Sequence, residues 1–169
     1  MLTIEVDDRL VLDALRQVAG RLGDPAPALK AIGETLAEST RRRFETSTGP
    51  DGQRWPSNSP VTILQYLGAY KGSYTKTSKI SANGSGRAIS KRPLIGETKS
   101  LSSTIDWTVS GDSVLIGSPM VYAAVQQFGA KARQFGSAPW GDIPARPFLG
   151  VSDDDRRAIL DLFSDFLLP

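Results

Sequence analysis

Three consecutive carboxylates, Asp153, Asp154 and Asp155, are the part of this chain that comes closest to a catalytic or metal-binding pattern. Grouped carboxylates can bind Mg²⁺ or Ca²⁺, and paired ones can act as general acid and base. Successive side chains on a helix diverge by about 100°, so three adjacent ones do not converge on one ion. Ser152 precedes them, and acids that follow a serine complement the positive end of a helix dipole. We therefore interpret the triplet as the start of a helix.

The remaining residues offer little chemistry. The 169 residues include no histidine and no cysteine, which removes the commonest general base, thiolate nucleophiles and the usual zinc ligands. The turn Gly49–Gly52 lacks the Lys-Ser/Thr pair of a phosphate-binding loop. A carboxylate enzyme such as a peptidoglycan hydrolase needs two convergent acids, and Asp51 and Asp106 lie in different elements. We predict no enzymatic activity, no catalytic residue, no metal and no cofactor.

Positive charge is concentrated in one stretch of the chain. From Gln53 through Gly96 there is no Asp or Glu, although the net charge of the whole chain is only +2. Residues 68–92 are rich in Gly, Ser and Lys and bury too little apolar surface to offset their ordering entropy, which predicts a flexible basic arm or hairpin. Residues 130–142 predict a second flexible loop. The partner-contact candidates in these two segments are Lys71, Lys76, Lys79, Arg87, Lys91, Arg92, Lys131, Arg133 and Trp140.

Two kinds of partner fit such a basic arm. Tyr66, Tyr70 and Tyr74 are interleaved with it at a spacing of four, as in proteins that stack bases on aromatic rings. A nucleic acid would then be held through its phosphates, with release of counterions. An acidic neighbouring subunit would be steered by the same charges. The chain carries no nucleic-acid-binding fold signature, so a small DNA-binding accessory protein is the alternative hypothesis.

Hydrophobic periodicity predicts the elements that carry these residues. Leu2–Val6 alternates like a strand, and apolar residues from Val11 to Leu22 recur at helical spacing. Asp24-Pro25 then starts a second helix that runs to Thr46. One face of that helix holds Leu29, Ile32, Leu36, Thr40 and Phe44, which we expect in the core. Arg41–Arg43 in its last turns is interpreted as a solvated end that the helix dipole favours, and contact with nucleic acid or an acidic partner is the alternative.

The second half of the chain predicts a sheet and a last helix. Ser103–Val109 and Ser113–Gly117 flank a Gly-Asp turn, which indicates a hairpin with Ile105, Trp107 and Val109 on its inner face. After Ser152, the apolar face of the last helix consists of Ile159, Leu160, Phe163, Phe166 and Leu167. The fold class is therefore α+β: N-terminal helices and a C-terminal helix pack on a small antiparallel sheet. We expect one domain over residues 1–169, with a mobile basic arm.

Two segments of unusual composition form an ordered set. The first is Phe44 followed by Gly49-Pro50-Asp51-Gly52-Gln53-Arg54-Trp55, and the second is Tyr122-Ala123, Gln127-Phe128-Gly129 and Ile143-Pro144-Ala145-Arg146-Pro147-Phe148-Leu149-Gly150. Leu101–Ile105 and Val114–Gly117 lie between them. In this order the segments resemble the phage virion morphogenesis, or tail-completion, family of tailed bacteriophages and Mu-like prophages. Members of that family often carry His where this chain has Gln126 or Gln127.

The resemblance implies a structural role rather than an enzymatic one. It implies tail completion, or head-tail joining, at the neck of a phage or prophage particle. The partners would be other neck and tail proteins and further copies in a ring, a hexamer, with incidental non-specific contact with the genome. The protein would be found in the virion neck or tail, and in the host cytoplasm during assembly. The residues that carry the family motif are Trp55, Tyr122, Phe128, Gly129, Arg146, Pro147 and Phe148.

Two of these residues have a physical prediction of their own. Pro147 fixes its φ angle and favours an extended Arg146, so that Phe148 enters the fold at a set angle, like a clamp. Trp55 is expected to pin its loop by burying the ring and bonding the indole N–H. No apolar run approaches the length of a membrane span, so we expect no membrane partner.

Overall fold

The computed structural model describes residues 17–21, 23–96, 98–134 and 141–168. Residues 17–21 are helical, whereas the strand predicted at Leu2–Val6 and the rest of the first predicted helix lie outside the described residues. The helices that follow are α1 Ala26–Thr46, α2 Pro60–Gly68, α3 Ala82–Ser90, α4 Ser100–Ser103, α5 Ala123–Phe128 and α6 Asp153–Leu167. The strands β1 Asp106–Ser110 and β2 Ser113–Gly117 form a two-stranded antiparallel sheet. The predicted α+β class is confirmed.

The chain divides into two compact units. One contains the chain as far as Glu38, Asp106–Ile116 and the chain from Val151 onward. The other contains Ser39–Ile105 and Gly117–Gly150. The expectation that all 169 residues form one domain stays a prediction.

In the first unit, α1 up to Glu38 buries the face that its pattern predicts, whereas the first hairpin strand begins at Asp106 and not at Ser103, because Ser100–Ser103 form α4. Leu29, Ile32 and Leu36 are buried on one face of α1, because they recur every three or four residues. In β1 burial alternates along the strand, with Trp107 and Val109 half-buried. The Trp107 ring lies directly on Gly33, where an added Cβ would be 2.4 Å from a ring carbon.

The last helix, α6, begins as its first residues predict. Ser152 Oγ accepts the N–H of Asp155, and the Asp155 carboxylate accepts the N–H of Ser152, which completes a capping box. Near its other end, Arg21 donates to the carbonyl of Phe166 at 2.5 Å. One prediction is wrong here: Leu160 is 68% exposed, whereas the other residues of the predicted apolar face are half-buried, because Leu160 lies at the edge of that face.

The core of the second unit is aromatic. Phe44 and Phe148 are buried almost completely, and their ring centroids lie 5.4 Å apart. Trp55 packs edge-on against Phe44 at 5.3 Å. Such ring pairs are worth about 0.5–1.5 kcal/mol beyond the area that they bury. Three aliphatic side chains complete this core: Leu67, Leu101 and Ile105.

Residues 68–92, called the basic segment below, contain more regular structure than their composition predicts. Tyr74 and Ile80 form an isolated antiparallel bridge, and α3 follows directly. Ser81 caps α3 by accepting the N–H of Gly84 at 3.0 Å. Gly84 itself is buried, and an added Cβ there would lie 2.2 Å from the carbonyl oxygen of Ser73. The bridge agrees with the hairpin alternative, α3 is an unpredicted addition, and mobility of this segment stays a prediction.

Candidate functional site

The best-constructed part of the second unit is residues 144–150, which we call the clamp. Its backbone is extended and makes few contacts of its own, so side chains from distant parts of the sequence hold it. Phe148 fills the aromatic core, and Arg146 is also buried, at 6% exposed. Pro147, which sets the direction of this backbone, is exposed. The buried residues on both sides of Pro147, Arg146 and Phe148, therefore anchor the clamp.

Arg146 ties the clamp to the loop after Trp55. Its Nε donates to the carbonyl of Pro56 and its Nη2 to that of Ser57, both at 2.8 Å. Its Nη1 reaches Gln126 Oε1 at 3.5 Å. Burial lowers the pKa of the Arg146 guanidinium below its ordinary value, although an arginine stays protonated at neutral pH. Hydrogen bonds to a charged group contribute about 1.5–3 kcal/mol each, so the charge of Arg146 stabilises the fold.

Arg43 and Trp55 also hold the clamp, by donating hydrogen bonds to its backbone carbonyls. Arg43 Nη1 donates to the carbonyls of Phe148 and Gly150, each at 2.9 Å. The Trp55 indole N–H donates to the carbonyl of Pro147 at 2.8 Å, and its ring is buried, which are the two roles that its residue type predicts. The interpretation of Arg41–Arg43 as a solvated end is wrong for Arg43, which is 6% exposed. Carbonyls more than 100 residues away in the sequence take up its charge.

Gln127 is a functional part of the clamp that its residue type alone does not reveal. Its Oε1 accepts the N–H groups of Phe148 at 2.9 Å and Leu149 at 3.0 Å. Its Nε2 donates to the carbonyl of Leu149 at 2.9 Å. The amide thus supplies one acceptor and one donor to consecutive peptide groups, as a neighbouring strand would. This is one of the two positions at which family members often carry His.

Two aromatic residues of the motif are exposed. Phe128 is 79% exposed and Tyr122 is 44% exposed, and their role as motif residues stays a prediction. The cause of the exposure is helical geometry: α5 turns Ala123 and Gln127 inward, and Phe128 lies about 100° from Gln127. Gly129 ends α5 with a φ angle of 75°. Exposure of a large aromatic next to such a fixed turn is typical of a contact residue.

The basic segment uses part of its charge locally. Arg87 Nη1 donates to the carbonyl of Lys71 and to Ser73 Oγ, both at 3.0 Å, and its guanidinium lies 5.2 Å from the centre of the Tyr70 ring. Lys91 Nζ donates to the carbonyl of Ile95 at 2.5 Å and lies 4.5 Å from the Tyr66 ring centre. Cation–π contacts of this kind contribute about 0.5–1 kcal/mol at exposed sites.

Two of the three tyrosines have ring neighbours. The rings of Tyr66 and Tyr70 contact each other edge-on at 5.0 Å, and each also lies under a cation. On those ring faces a base would compete with the Arg87 guanidinium or the Lys91 ammonium, whereas Tyr74 is 37% exposed. The other cations of the segment are exposed, and Arg92 donates to the carbonyl of Glu45 at 2.7 Å.

The loop candidates are only partly described. Lys131 pairs with Asp142 at 2.9 Å on the surface, and the N–H of Ala132 donates to the same carboxylate at 2.8 Å. The Ala132 hydrogen bond and Lys131 lower the pKa of Asp142 below its ordinary value of 3.8. Arg133 is exposed at a positive φ of 65°. Trp140 lies outside the described residues.

A cleft of about 800 Å³ lies beside α2 in the second unit, and we call it the α2 cleft. Its lining includes the helix residue Val61, the cations Lys91 and Arg92, and the clamp residue Arg146. Tyr122 also lines it, so the exposed tyrosine of the family motif borders this space. The cleft thus combines apolar wall and positive charge.

The acidic triplet has the role of a helix start. Asp155 belongs to the capping box, while Asp153 pairs with Arg156 at 3.6 Å and Asp154 pairs with Arg157. The three carboxylates therefore contact three different partners. Over the described ranges, no cluster of three or more acidic side chains is placed to hold a metal ion.

The described site combines buried arginines that donate to backbone carbonyls with exposed apolar and basic surfaces. A model of the phage virion morphogenesis family matches residues 6–167, and the chain therefore belongs to this family.

The chain is similar to "Mu-like prophage FluMu G protein 2" of Haemophilus influenzae, with 26% identity over 167 residues that cover 98% of this chain and 96% of that protein. It is also similar to "Putative capsid assembly protein G" of Escherichia phage Mu, with 28% identity over 163 residues that cover 95% and 90%. No solved structure matches the chain.

These findings confirm the family that the motifs predict. They support a structural or assembly role in a phage particle and a virion-associated location. Within the described part of the chain, no helix is both long and apolar enough to cross a bilayer. The absence of enzymatic activity stays a prediction.

Proposed function

We propose that this protein completes the tail or joins head to tail at the neck of a phage or prophage particle. The observation that carries the proposal is the exposure of large apolar side chains around a rigid clamp in a member of this family. Val121 is 97% exposed and Phe128 is 79% exposed, and both flank α5, which holds the clamp through Gln127. Exposed apolar groups on a well-ordered support are typical of surfaces that a partner covers.

The partners in this proposal are other neck and tail proteins and further copies of the chain in a six-membered ring. A neck needs several contact surfaces at once, and the chain offers the face of α5, the basic segment and the loop of residues 130–142. The protein would act in the host cytoplasm during assembly and stay at the neck or tail.

The test is microscopy of particles from a lysogen that lacks this reading frame and is complemented in trans. Negative staining is expected to show normal heads and tails left unjoined, or tails of abnormal length, and wild-type complementation should restore virions. Ordinary intact virions without the protein would overturn the proposal. A Phe128→Ser variant should fail to complement, whereas Leu115→Ser, a matched change at a hairpin residue that is 57% exposed and is not among the seven motif residues, should succeed.

The alternative, a small DNA-binding accessory protein, is favoured by one observation. Lys71, Lys76 and Lys79 are exposed within a stretch that contains no acid. This proposal predicts binding to generic duplex DNA that weakens steeply with salt. Fluorescence anisotropy of a labelled duplex would measure it, with Lys76→Glu/Lys79→Glu as the disrupting variant and Lys30→Glu as the control. Equal binding by both variants would contradict a role for the segment in DNA contact.

A further inference from the structure

The outer face of α6 carries an arrangement that does not help α6 to fold. Leu160 is 68% exposed and Leu168 is 71% exposed, and Asp161 and Asp165 are exposed between them. We call these four residues the acidic stripe. The last turn of α6 has no basic residue. Asp165 lies in this last turn, where a carboxylate opposes the helix dipole.

The two ends of α6 differ in how their acids are neutralised. Asp153 and Asp154 lie at the favourable end, and each also pairs with an arginine three residues later. None of the described ion pairs involves Asp161 or Asp165, although Arg157 lies one turn before Asp161. Exposed leucines next to acids without a described ion pair suit an apolar and positively charged partner.

The α2 cleft has the complementary chemistry. Val61, which is 63% exposed, and Ile95 give it an apolar wall, and Lys91 and Arg92 line it with positive charge. Lys91 and Arg92 each donate one described hydrogen bond to a backbone carbonyl. An ammonium has three donors and a guanidinium has five, so both retain N–H groups for a carboxylate. Asp142, which also lines the cleft, is paired with Lys131.

We propose that the acidic stripe of one copy docks in the α2 cleft of a second copy. Asp161 and Asp165 face Lys91 and Arg92 of that copy, and Leu160 and Leu168 cover its apolar wall. This contact deepens the proposed function, because it rests on the proposal that copies of the chain assemble. It joins two different patches, and contacts of this kind repeat from copy to copy and close into rings when the rotation allows.

Charge and apolarity together select a second copy over DNA as the occupant. A phosphate backbone would satisfy Lys91 and Arg92 but would leave Val61 and Ile95 uncovered. The stripe supplies both carboxylates and leucines, within a chain whose basic and acidic regions are segregated while its net charge is only +2. When two copies of such a chain associate, the acidic region of one can neutralise the basic region of the other.

The experiment is sedimentation velocity of the full chain at low salt over a wide range of concentration. The wild-type protein is expected to increase in average mass with concentration, and added salt should reduce this association. Arg92→Glu and Asp165→Arg should each weaken association by at least about tenfold, since each places like charges in contact. The double variant Arg92→Glu/Asp165→Arg restores the opposite charges and should recover most of the association. Asp112→Arg, an exposed change in the hairpin turn, is the charge-matched control and should behave like the wild type.

Several outcomes would overturn this contact. They are a wild-type chain that is monomeric at every concentration, single variants that associate normally, and a double variant that is not restored. Circular dichroism of every variant separates loss of contact from loss of fold. If the single variants associate like the wild type while deletion of the reading frame leaves heads and tails unjoined, the contact fails and the neck role stands. If the wild-type chain associates as described but its deletion leaves virions intact, the contact stands and the neck role fails.

Discussion

The clamp and the basic segment belong to the same compact unit and are stabilised in different ways. The clamp is held by long-range contacts: Arg43, Trp55 and Gln127 all donate to or accept from its backbone, across 21 to 107 positions of sequence. The basic segment is held in part by contacts between nearer positions, such as Arg87 to residues 14 and 16 positions away, and Arg92 donates to the carbonyl of Glu45, 47 positions away. These contacts leave Lys71, Lys76 and Lys79 exposed.

This difference separates charged side chains that stabilise the fold from charged side chains that are exposed to partners. In the clamp, charge is buried and satisfied by carbonyls, so it is unavailable for binding. In the basic segment most charge stays at the surface, where it is available at little cost in stability. Substitutions in the two regions should therefore affect different measurements.

The largest expected effect is in the clamp. Phe148→Ala should destabilise the protein by about 3–5 kcal/mol, because Phe148 is fully buried against Phe44 and its removal leaves a cavity. Chemical denaturation of the full chain measures this. Ile89→Ala in the basic segment, at a residue that is 88% exposed, should change stability by less than about 0.5 kcal/mol. Similar losses for both would remove the distinction between the regions.

The same comparison can be made with charged residues. Arg146→Met should cost about 3 kcal/mol, since it leaves the carbonyls of Pro56 and Ser57 without their donors. Arg87→Met should cost less than about 1 kcal/mol, because water can replace its partners. The free energy of unfolding of both variants tests this prediction. A larger loss for Arg87→Met than for Arg146→Met would contradict it.

Gly84→Ala tests whether the basic segment has a tight point of its own. The added Cβ would collide with the carbonyl of Ser73, and overpacking of this kind costs about 1–3 kcal/mol. Hydrogen exchange should show lost protection in α3 and unchanged protection in α5. Gly86→Ala, with open space around its Cβ, is the control and should leave α3 intact. Loss of protection in the clamp as well would show that the two regions unfold together.

Trp55→Phe removes the indole N–H while keeping an aromatic ring next to Phe44. The carbonyl of Pro147 then loses its donor, which should cost about 1 kcal/mol. A thermal melt measures this loss. Coupling with Phe148→Ala in a double-mutant cycle should exceed about 0.5 kcal/mol, because the two side chains belong to one cluster. Purely additive effects of the two substitutions on stability would show that Trp55 and Phe148 do not act as one cluster.

The smallest effect concerns the loop of residues 130–142. The pKa of Asp142 is lowered by its bonds to Ala132 and Lys131, so the folded loop favours the carboxylate form. Its contribution to stability is therefore present above about pH 3.8 and is lost as the pH falls through the lowered pKa. A carboxyl-detected NMR titration should place the Asp142 midpoint below 3.8, and Lys131→Met should raise it. A midpoint at or above 3.8 would contradict the pairing.

Local patterns predict much of this structure, because they depend on neighbours in sequence. The second predicted helix differs from α1 by one residue at its start, and the hairpin turn and the Ser152 cap are also as predicted. The short sequence Asn83–Gly86 favours turns, yet α3 forms there, since Gly84 lets the helix approach the Ser73 carbonyl. Tertiary packing overrides propensity at this point.

The clamp could be predicted only in part. The types of Trp55 and Phe148 indicate burial, and the structure buries both. Nothing in the sequence around Arg43 or Gln127 shows that carbonyls and amides 21 or more positions away would meet them. Conversely, the motif residues Phe128 and Tyr122 are exposed. A shared motif alone does not distinguish packing residues from contact residues.

The hydrogen bonds of Arg43 also set the order in which the chain can mature on the ribosome. Its two acceptors lie 105 and 107 residues later, so at roughly 5–20 residues per second they emerge between about 5 and 20 seconds after it. During this interval Arg43 lacks its two hydrogen bonds to the clamp, and Phe44 lacks its contact with the Phe148 ring. Nascent chains that stop before residue 148 should therefore be captured by chaperones or proteases, while chains that pass Gly150 close their core in a single late step.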